Sequence, residues 1–318
     1  MVAYLARRLA FAVFLVFAVS SAALVLAKLA PGDFAADSLG LGASPEAIAA
    51  ARARYGLDRS LGAQYGAWIA GAARLDFGQS LLFDRPVADL IPERAANTAI
   101  LSLTALLAAT LIGLPLGVVT GSRPGGFLTG AIRTASLLLL SMPPLLTSLF
   151  LVFAAARTGW LPVGGMTTSS GSSGWTGDVL RHLIVPAAAL ALPLAAMFER
   201  LQSQSMSEVI GQPYMLATHA RGVPAARAIW RDALKGALGP IAAVYGLVVG
   251  TLLSGSFAVE AITAWPGLGQ LMLAALRARD VYLVAGCAVA GSVFLAVGTL
   301  LSDAAIAFVE PRTREVGT

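Results

Sequence analysis

The chain has 318 residues, of which 57% are hydrophobic and only 12% charged, with a net charge of +5 and a mean hydropathy of +0.78. A soluble domain carries about 25% charged residues, so composition excludes an ordinary soluble protein and places the chain among multi-pass membrane proteins. The pI near 9.8 reads as the excess of cytoplasmic Arg and Lys that membrane proteins carry, not as nucleic-acid binding.

Cys287 is the only cysteine, which excludes an intramolecular disulfide and a thiolate zinc cluster. His182 and His219 are the only histidines, too few for a histidine metal site. No metal ligand set is predicted.

Arg7-Arg8 precede an apolar run from Leu9 to Ala27. A signal peptide has an apolar region of about 7–15 residues, so this longer run is predicted to be a retained membrane anchor. Further runs able to cross a bilayer about 30 Å thick fall near 97–120, 127–155, 183–204, 238–258 and 282–307. The six spans must be helices, because lipid offers no partner to a bare peptide group.

With the N-terminus inside, the inner segments hold Arg7, Arg8, Arg123, Arg133, Arg200, Arg221, Arg227, Arg231, Lys235, Arg312 and Arg314. The short outer loops hold Arg157, Arg181, Arg277 and Arg279. Eleven against four predicts both termini in the cytoplasm.

Four segments follow: a first transmembrane helix at 1–29, an outer helical cap at 30–96, a five-helix core at 97–307, and a cytoplasmic tail at 308–318. In the cap, Ser44-Pro45-Glu46 is a helix start, with Ser44 capping and Pro45 at the first position. Gly56 closes that helix. A second helix, 64–74, carries Tyr65, Trp68 and Ile69 on one face, a candidate docking surface. The outer loop 164–177 is rich in Gly, Ser and Thr and is predicted to be mobile. Pro115, Pro143-Pro144, Pro186, Pro193 and Pro240 predict kinks within the spans.

The cytoplasmic loop 205–237 is polar and basic. Pro213 suits the first turn of a short helix, Gly222 its C-terminal cap, and Pro224 stops continuation. The helix is expected to expose Tyr214 and Met215, with small Ala217 and Ala220 beyond them. Arg227, Arg231 and Lys235 recur every fourth residue along a second helix, whose apolar face is Ile229, Trp230 and Leu234. Physics leaves two readings open: insertion of the short helix into a partner's groove, or an amphipathic helix on anionic headgroups.

Almost end to end, the sequence resembles the inner-membrane permease subunits of dipeptide and oligopeptide ABC importers, a family that includes nickel and glutathione permeases. The resemblance rests on PGD at 31–33, RYGLDRSLGAQYGAWI at 54–69 and LDFGQSLLFDRPVADLI at 75–91. It continues through SMPP at 141–144, GWLPVGG at 159–165, VEAITAWPGLGQLM at 259–272, ARD at 278–280 and EPR at 310–312. The loop 205–237 resembles the family's ATPase-coupling loop, with Tyr214, Ala220, Arg221, Gly222, Ala233, Leu234 and Pro240 in place. Thr218, His219, Gly236 and Glu310 stand where the family usually has other residues.

The resemblance implies an all-α fold of the type I ABC importer permease class. It implies a pore formed with a second, homologous permease (a heterodimer by family habit), two ABC ATPases that bind ATP and Mg, and an external solute-binding protein. The ATPase-coupling residues are then Pro213, Tyr214, Met215, Ala217, Thr218, Ala220, Arg221 and Gly222. Peptides are the implied cargo; nickel complexes, glutathione or another small solute are the alternatives.

The residues agree that any motor lies elsewhere. A phosphate-binding loop ends in Gly-Lys-[Ser/Thr], and neither lysine, Lys28 or Lys235, follows a glycine. An ion-driven transporter would need ionisable residues within its spans. Glu199, Arg200 and Asp303 lie near span boundaries and read as interface anchors. A membrane enzyme would need a nucleophile–base pair; Asp178 and His182 read as loop residues. Candidate pathway residues are Asn97, Thr98, Ser102 and Thr104 on the second span and Ser254 and Ser256 on the fifth, which either line a route for polar solute or glue helices together. Trp265-Pro266-Gly267 is predicted as a turn at the outer mouth, with Trp265 as docking residue or interfacial anchor.

Overall fold

The computed structural model describes residues 2–29, 32, 34–39, 43–123, 125–167 and 175–309. Some side chains within these helices, those of His219, Ser254 and Asp303 among them, lie outside that description. Pro31, Asp33, half of the predicted mobile loop (168–174) and the EPR tail lie outside the described residues.

The described residues are mostly helical, with one hairpin among them of two two-residue strands. Four helices among the described residues are long and apolar enough to cross a membrane, and six spans result if each of two bent helix pairs counts as one. Contacts divide the chain into two compact units, 1–99 with 266–296, and 100–265 with the chain from Val297.

The first unit starts with α1 (Val2–Leu29) and three short helices, α2 (Phe34–Leu39), α3 (Pro45–Arg54) and α4 (Leu61–Ala72). The helix after Ser44 starts and ends as expected. The Ser44 hydroxyl accepts from the Ala47 N–H at 3.2 Å, Pro45 opens α3, and Gly56 follows the helix with φ +64°. The Glu46 carboxyl is held below its ordinary value by its own backbone N–H and by Ser44. Ser60 caps α4 in the same manner.

The strands β1 (Gln79–Ser80) and β2 (Arg85–Pro86) pair antiparallel and lead into α5 (Val87–Ser122), which starts ten residues before the predicted span. The unit closes with α14 (Leu268–Arg277) and the start of α15 (Val281–Val309). Asp280 ties these parts together. Its carboxylate accepts from Ser80 Oγ at 2.6 Å, the Leu82 N–H at 3.0 Å and the Leu283 N–H at 3.1 Å, so one buried side chain caps α15 and fixes the hairpin. Gly32 has φ +88°, and any Cβ there would run into the Arg279 guanidinium. This gives the glycine of PGD, and the arginine and aspartate of ARD, a physical reason.

The second unit holds the rest of α5, α6 (Phe127–Ser141), α7 (Pro144–Thr158), α8 (Trp175–Ile210), α9 (Pro213–Ala220), α10 (Ala225–Arg227), a π turn at 228–233, α11 (Leu234–Ala237), α12 (Gly239–Gly255) and α13 (Phe257–Ile262). Gly113, Gly117 and Gly121 form a stripe on α5 against α8. A Cβ at each would meet Ala195 and Phe198, Glu199 and Gln202, or Ser203 and Met206 in turn, too close for packing. Small residues at every fourth position let membrane helices approach this closely. Nearby, Phe198 stacks on Tyr245 at 5.3 Å, and the Tyr245 hydroxyl bonds Thr110.

Three expectations need correction. The predicted span 127–155 is two helices bent by 106°. Proline pushes the residue before it out of the helical region, so Met142 (ψ 117°) and Pro143 (ψ 145°) are both extended and the axis turns there. Asp178 and His182 lie within α8, not a loop; His182 Nδ1 is 3.5 Å from the Asp178 carboxylate and both residues are buried. The apolar run missed them because α8 begins before its hydrophobic stretch. Finally, Ala228, Ala233 and Ala237 are the buried residues of 225–237, with Ile229 and Leu234 packed partly buried against them as predicted, while Trp230 is 49% exposed. The spacing of five between Ala228 and Ala233 is absorbed by the π turn, which shifts the helical phase assumed for Trp230.

Candidate functional site

The site is built on α9 and the segment beneath it. Pro213 opens α9 with no N–H to leave unsatisfied, and Gly222 ends the segment at φ +78°, a conformation that favours glycine. Underneath lies a small core of Val118, Met206, Met215, Ala228, Ala233 and Ala237.

Met215 is 1% exposed and anchors α9 in this core, contrary to the expectation that it faces solvent. An eight-residue helix in water needs tertiary contacts to persist, and the largest apolar side chain on its inner face supplies them. Thr218 is buried too; its hydroxyl donates to Tyr214 O at 2.9 Å and accepts from Arg221 Nη2 at 3.1 Å. Gly236 has its own reason: the Tyr214 hydroxyl occupies the space where a Cβ would sit.

The outer face of α9 comprises Pro213, Tyr214, Leu216, Ala217 and Ala220, with Arg221 and Gly222 following, all exposed. Leu216 is 77% exposed and Tyr214 46%. Sequence reasoning missed Leu216. The signal was present in the helical wheel: with Met215 and Thr218 inward, Leu216 must point outward. Arg227, Arg231 and Lys235 are exposed, as their spacing predicted.

Four of the candidate pathway residues make hydrogen bonds inside the protein. Asn97 Nδ2 donates to Pro266 O at 2.9 Å, and Thr98 Oγ1 accepts from the Leu268 N–H at 2.8 Å. Ser102 reaches Leu252 O at 3.5 Å, and Ser256 donates to Glu260 Oε1 at 2.9 Å. All four are buried. The Ser254 side chain lies outside the described residues.

The docking candidates do not present a surface. The Tyr65 hydroxyl donates to Ser21 Oγ at 2.9 Å, and Trp68 is buried with Leu24 and Ala285. Trp265 is fully buried in the core of the second unit. In each case an aromatic face shields itself from water against a neighbouring helix. Glu199 is corrected as well: it is no interface anchor but 2% exposed, bonded by Thr120 Oγ1 at 2.6 Å.

Residues 113–315 match the family of binding-protein-dependent transport system inner membrane components, and residues 1–102 match the N-terminal region of such membrane components. The chain belongs to this family; it is an inner-membrane transport subunit and not an enzyme. It is 31% identical to the oligopeptide transport system permease protein AppB of Bacillus subtilis, over 98% of this chain and 99% of that one. A putative peptide permease of Brucella suis is likewise 31% identical, over 99% of each chain. A crystal form of the inward-facing MetNI methionine ABC transporter superposes with a TM-score of 0.51 at 18% identity, covering 70% of this chain and 95% of that one. That likeness establishes the fold, the type I importer permease fold.

Proposed function

We propose that the chain is the pore-forming permease subunit of an ATP-driven importer of di- or oligopeptides, with both termini in the cytoplasm. It pairs with a second, homologous permease. Two separate ABC ATPases bind ATP and Mg, and an external binding protein delivers the solute. Support for the peptide cargo comes from relatives of matching full length whose names carry it.

The observation that carries the coupling role is the two-sided build of α9. Met215 fastens its inner side to α8 and the π turn, and the buried Thr218 hydroxyl bonds back to Tyr214 O, while Leu216 and Tyr214 leave an apolar outer side uncovered. A helix fastened at one side and apolar at the other transmits displacement when a partner grips it. In this reading, Pro213, Tyr214, Met215, Ala217, Thr218, Ala220, Arg221 and Gly222, with Leu216 added, link nucleotide-driven closure of the ATPases to rocking of the helices.

Affinity purification of the tagged chain in mild detergent, followed by mass spectrometry and reconstitution, tests this. Co-purification of two ABC ATPases and a second permease, with ATP-dependent peptide uptake once binding protein is added, is the expected result. A chain that purifies alone and drives uptake from an ion gradient overturns it.

A further inference from the structure

A polar cavity of about 550 Å³ lies between α6 and α8. This is within the range of small-molecule sites. Its floor is buried and polar: Ser136 from α6, and Glu199 and Ser203 from α8. Its rim carries Arg133, Arg200 and Glu208. Hydrocarbon chains cannot cover such a surface at acceptable cost, and a carboxylate buried among spanning helices marks a functional position by default.

Three features make this a built site. Glu199 Oε1 accepts from the Thr120 hydroxyl at 2.6 Å, which fixes the carboxylate at the cavity floor. Arg133 Nη2 is steadied by Thr120 O at 3.1 Å, and a guanidinium has further donors to offer. The wall behind Glu199 is stiff, because Gly117 brings α5 against the backbone of Glu199 itself. On α8, Glu199, Ser203 and Ser207 repeat every fourth residue, a row about 12 Å long. One side of the trough therefore offers a fixed anion, and its rim offers cations. That pattern complements a zwitterion with separated ends.

We propose that this trough is a solute contact site within the permease, in which Glu199 receives the ammonium end of a passing peptide and Arg133 or Arg200 its carboxylate. The inference rests on the peptide-importer reading and assigns it residues: the solute meets α6 and α8, while Asn97, Thr98 and Ser102 tie α5 to neighbouring segments.

The test uses the complete transporter in proteoliposomes, with trialanine and N-formyl-trialanine each delivered by saturating binding protein. Each variant's rate is taken relative to the unaltered chain's rate for the same peptide. Glu199→Gln should lower trialanine uptake about tenfold more than uptake of the N-formyl peptide, which has no ammonium to lose. Equal losses overturn the proposal and return Glu199 to a structural role through Thr120.

A second measurement stands without N-formyl transport. Cys287 is buried, so Ser203→Cys supplies this chain's one accessible thiol, and labelling is read on this chain alone. A water-soluble thiol reagent should label it from the cytoplasmic side, trialanine turnover should slow that labelling at least threefold, and Glu199→Gln should abolish the protection. A thiol that never labels, or labels at a rate indifferent to peptide, means that a lipid headgroup or the partner subunit fills the trough, and overturns the proposal. Absence of ATP-driven uptake by the unaltered chain is a separate result, against the importer reading itself.

Discussion

Met215 and Leu216 are sequence neighbours with opposite surroundings, and substituting each by alanine separates anchoring from docking. Met215 is 1% exposed, within the core of Val118, Met206, Ala228, Ala233 and Ala237. Replacing a buried methionine by alanine costs about 2–5 kcal/mol. That loss falls on the attachment of α9, so the detached population should rise by about thirtyfold or more. Leu216 is 77% exposed, and its removal should change the chain's stability by less than about 0.5 kcal/mol. If a partner buries it, the lost transfer energy is about 1.5–3 kcal/mol, or roughly ten- to a hundredfold in association. Limited proteolysis within 213–224 reads the first effect, and titration of the purified ATPase against the solubilised permease reads the second. Met215→Ala should speed cleavage; Leu216→Ala should leave cleavage unchanged and weaken association. Equal cleavage rates for the two variants, or full ATPase affinity in Leu216→Ala, would refute the two-sided account of α9.

Three further outcomes are expected. Gly222→Asp places a side chain at φ +78° beside α9; the chain should insert normally while ATP hydrolysis loses its link to uptake, and uptake at the normal rate would sink the lever. Gly117→Val drives a branched side chain into the backbone of Glu199 and into Gln202, so the thermal midpoint in detergent should fall by the equivalent of about 1–3 kcal/mol; an unchanged midpoint would mean that the glycine stripe bears no packing load. Asp280→Ala removes the acceptor for Ser80, Leu82 and Leu283. Leaving those donors bare should cost about 1–3 kcal/mol or more, seen as faster hydrogen exchange at residues 80–84, while Asp280→Asn should recover part of the loss.

How much of this was legible in the sequence depended on which physical signal each element carried. The caps at Ser44 and Gly222 were readable because one residue decides a helix end. The cores of the spans were readable because lipid demands unbroken apolar runs. The true starts of α5 and α8 were not, since both helices continue into polar sequence where hydropathy falls silent. The break at Met142-Pro143-Pro144 was visible as proline but not as a turn of 106°, because proline lowers the cost of bending without dictating an angle. The site divided along the same line. Pro213 and Gly222 follow from backbone rules; Met215 and Leu216 could be sorted only by knowing which side of α9 meets Met206. The buried state of Glu199 was hidden because composition along the chain cannot show that Thr120 lies across from it.

The π turn at 228–233 acts as a phase shifter. An α-helix advances about 100° per residue, and this turn accommodates one residue more than the regular repeat needs. Deleting a residue within it would restore an ordinary helix with the downstream phase nearly kept, whereas a deletion just beyond it would rotate everything downstream by roughly that angle. Lys235 would swing off the exposed row, Gly236 would leave the Tyr214 hydroxyl, and α12 would start from a different side of its axis. The chain thus keeps an extra residue as a timing mark, and a deletion beyond the turn should be tolerated far less than one within it.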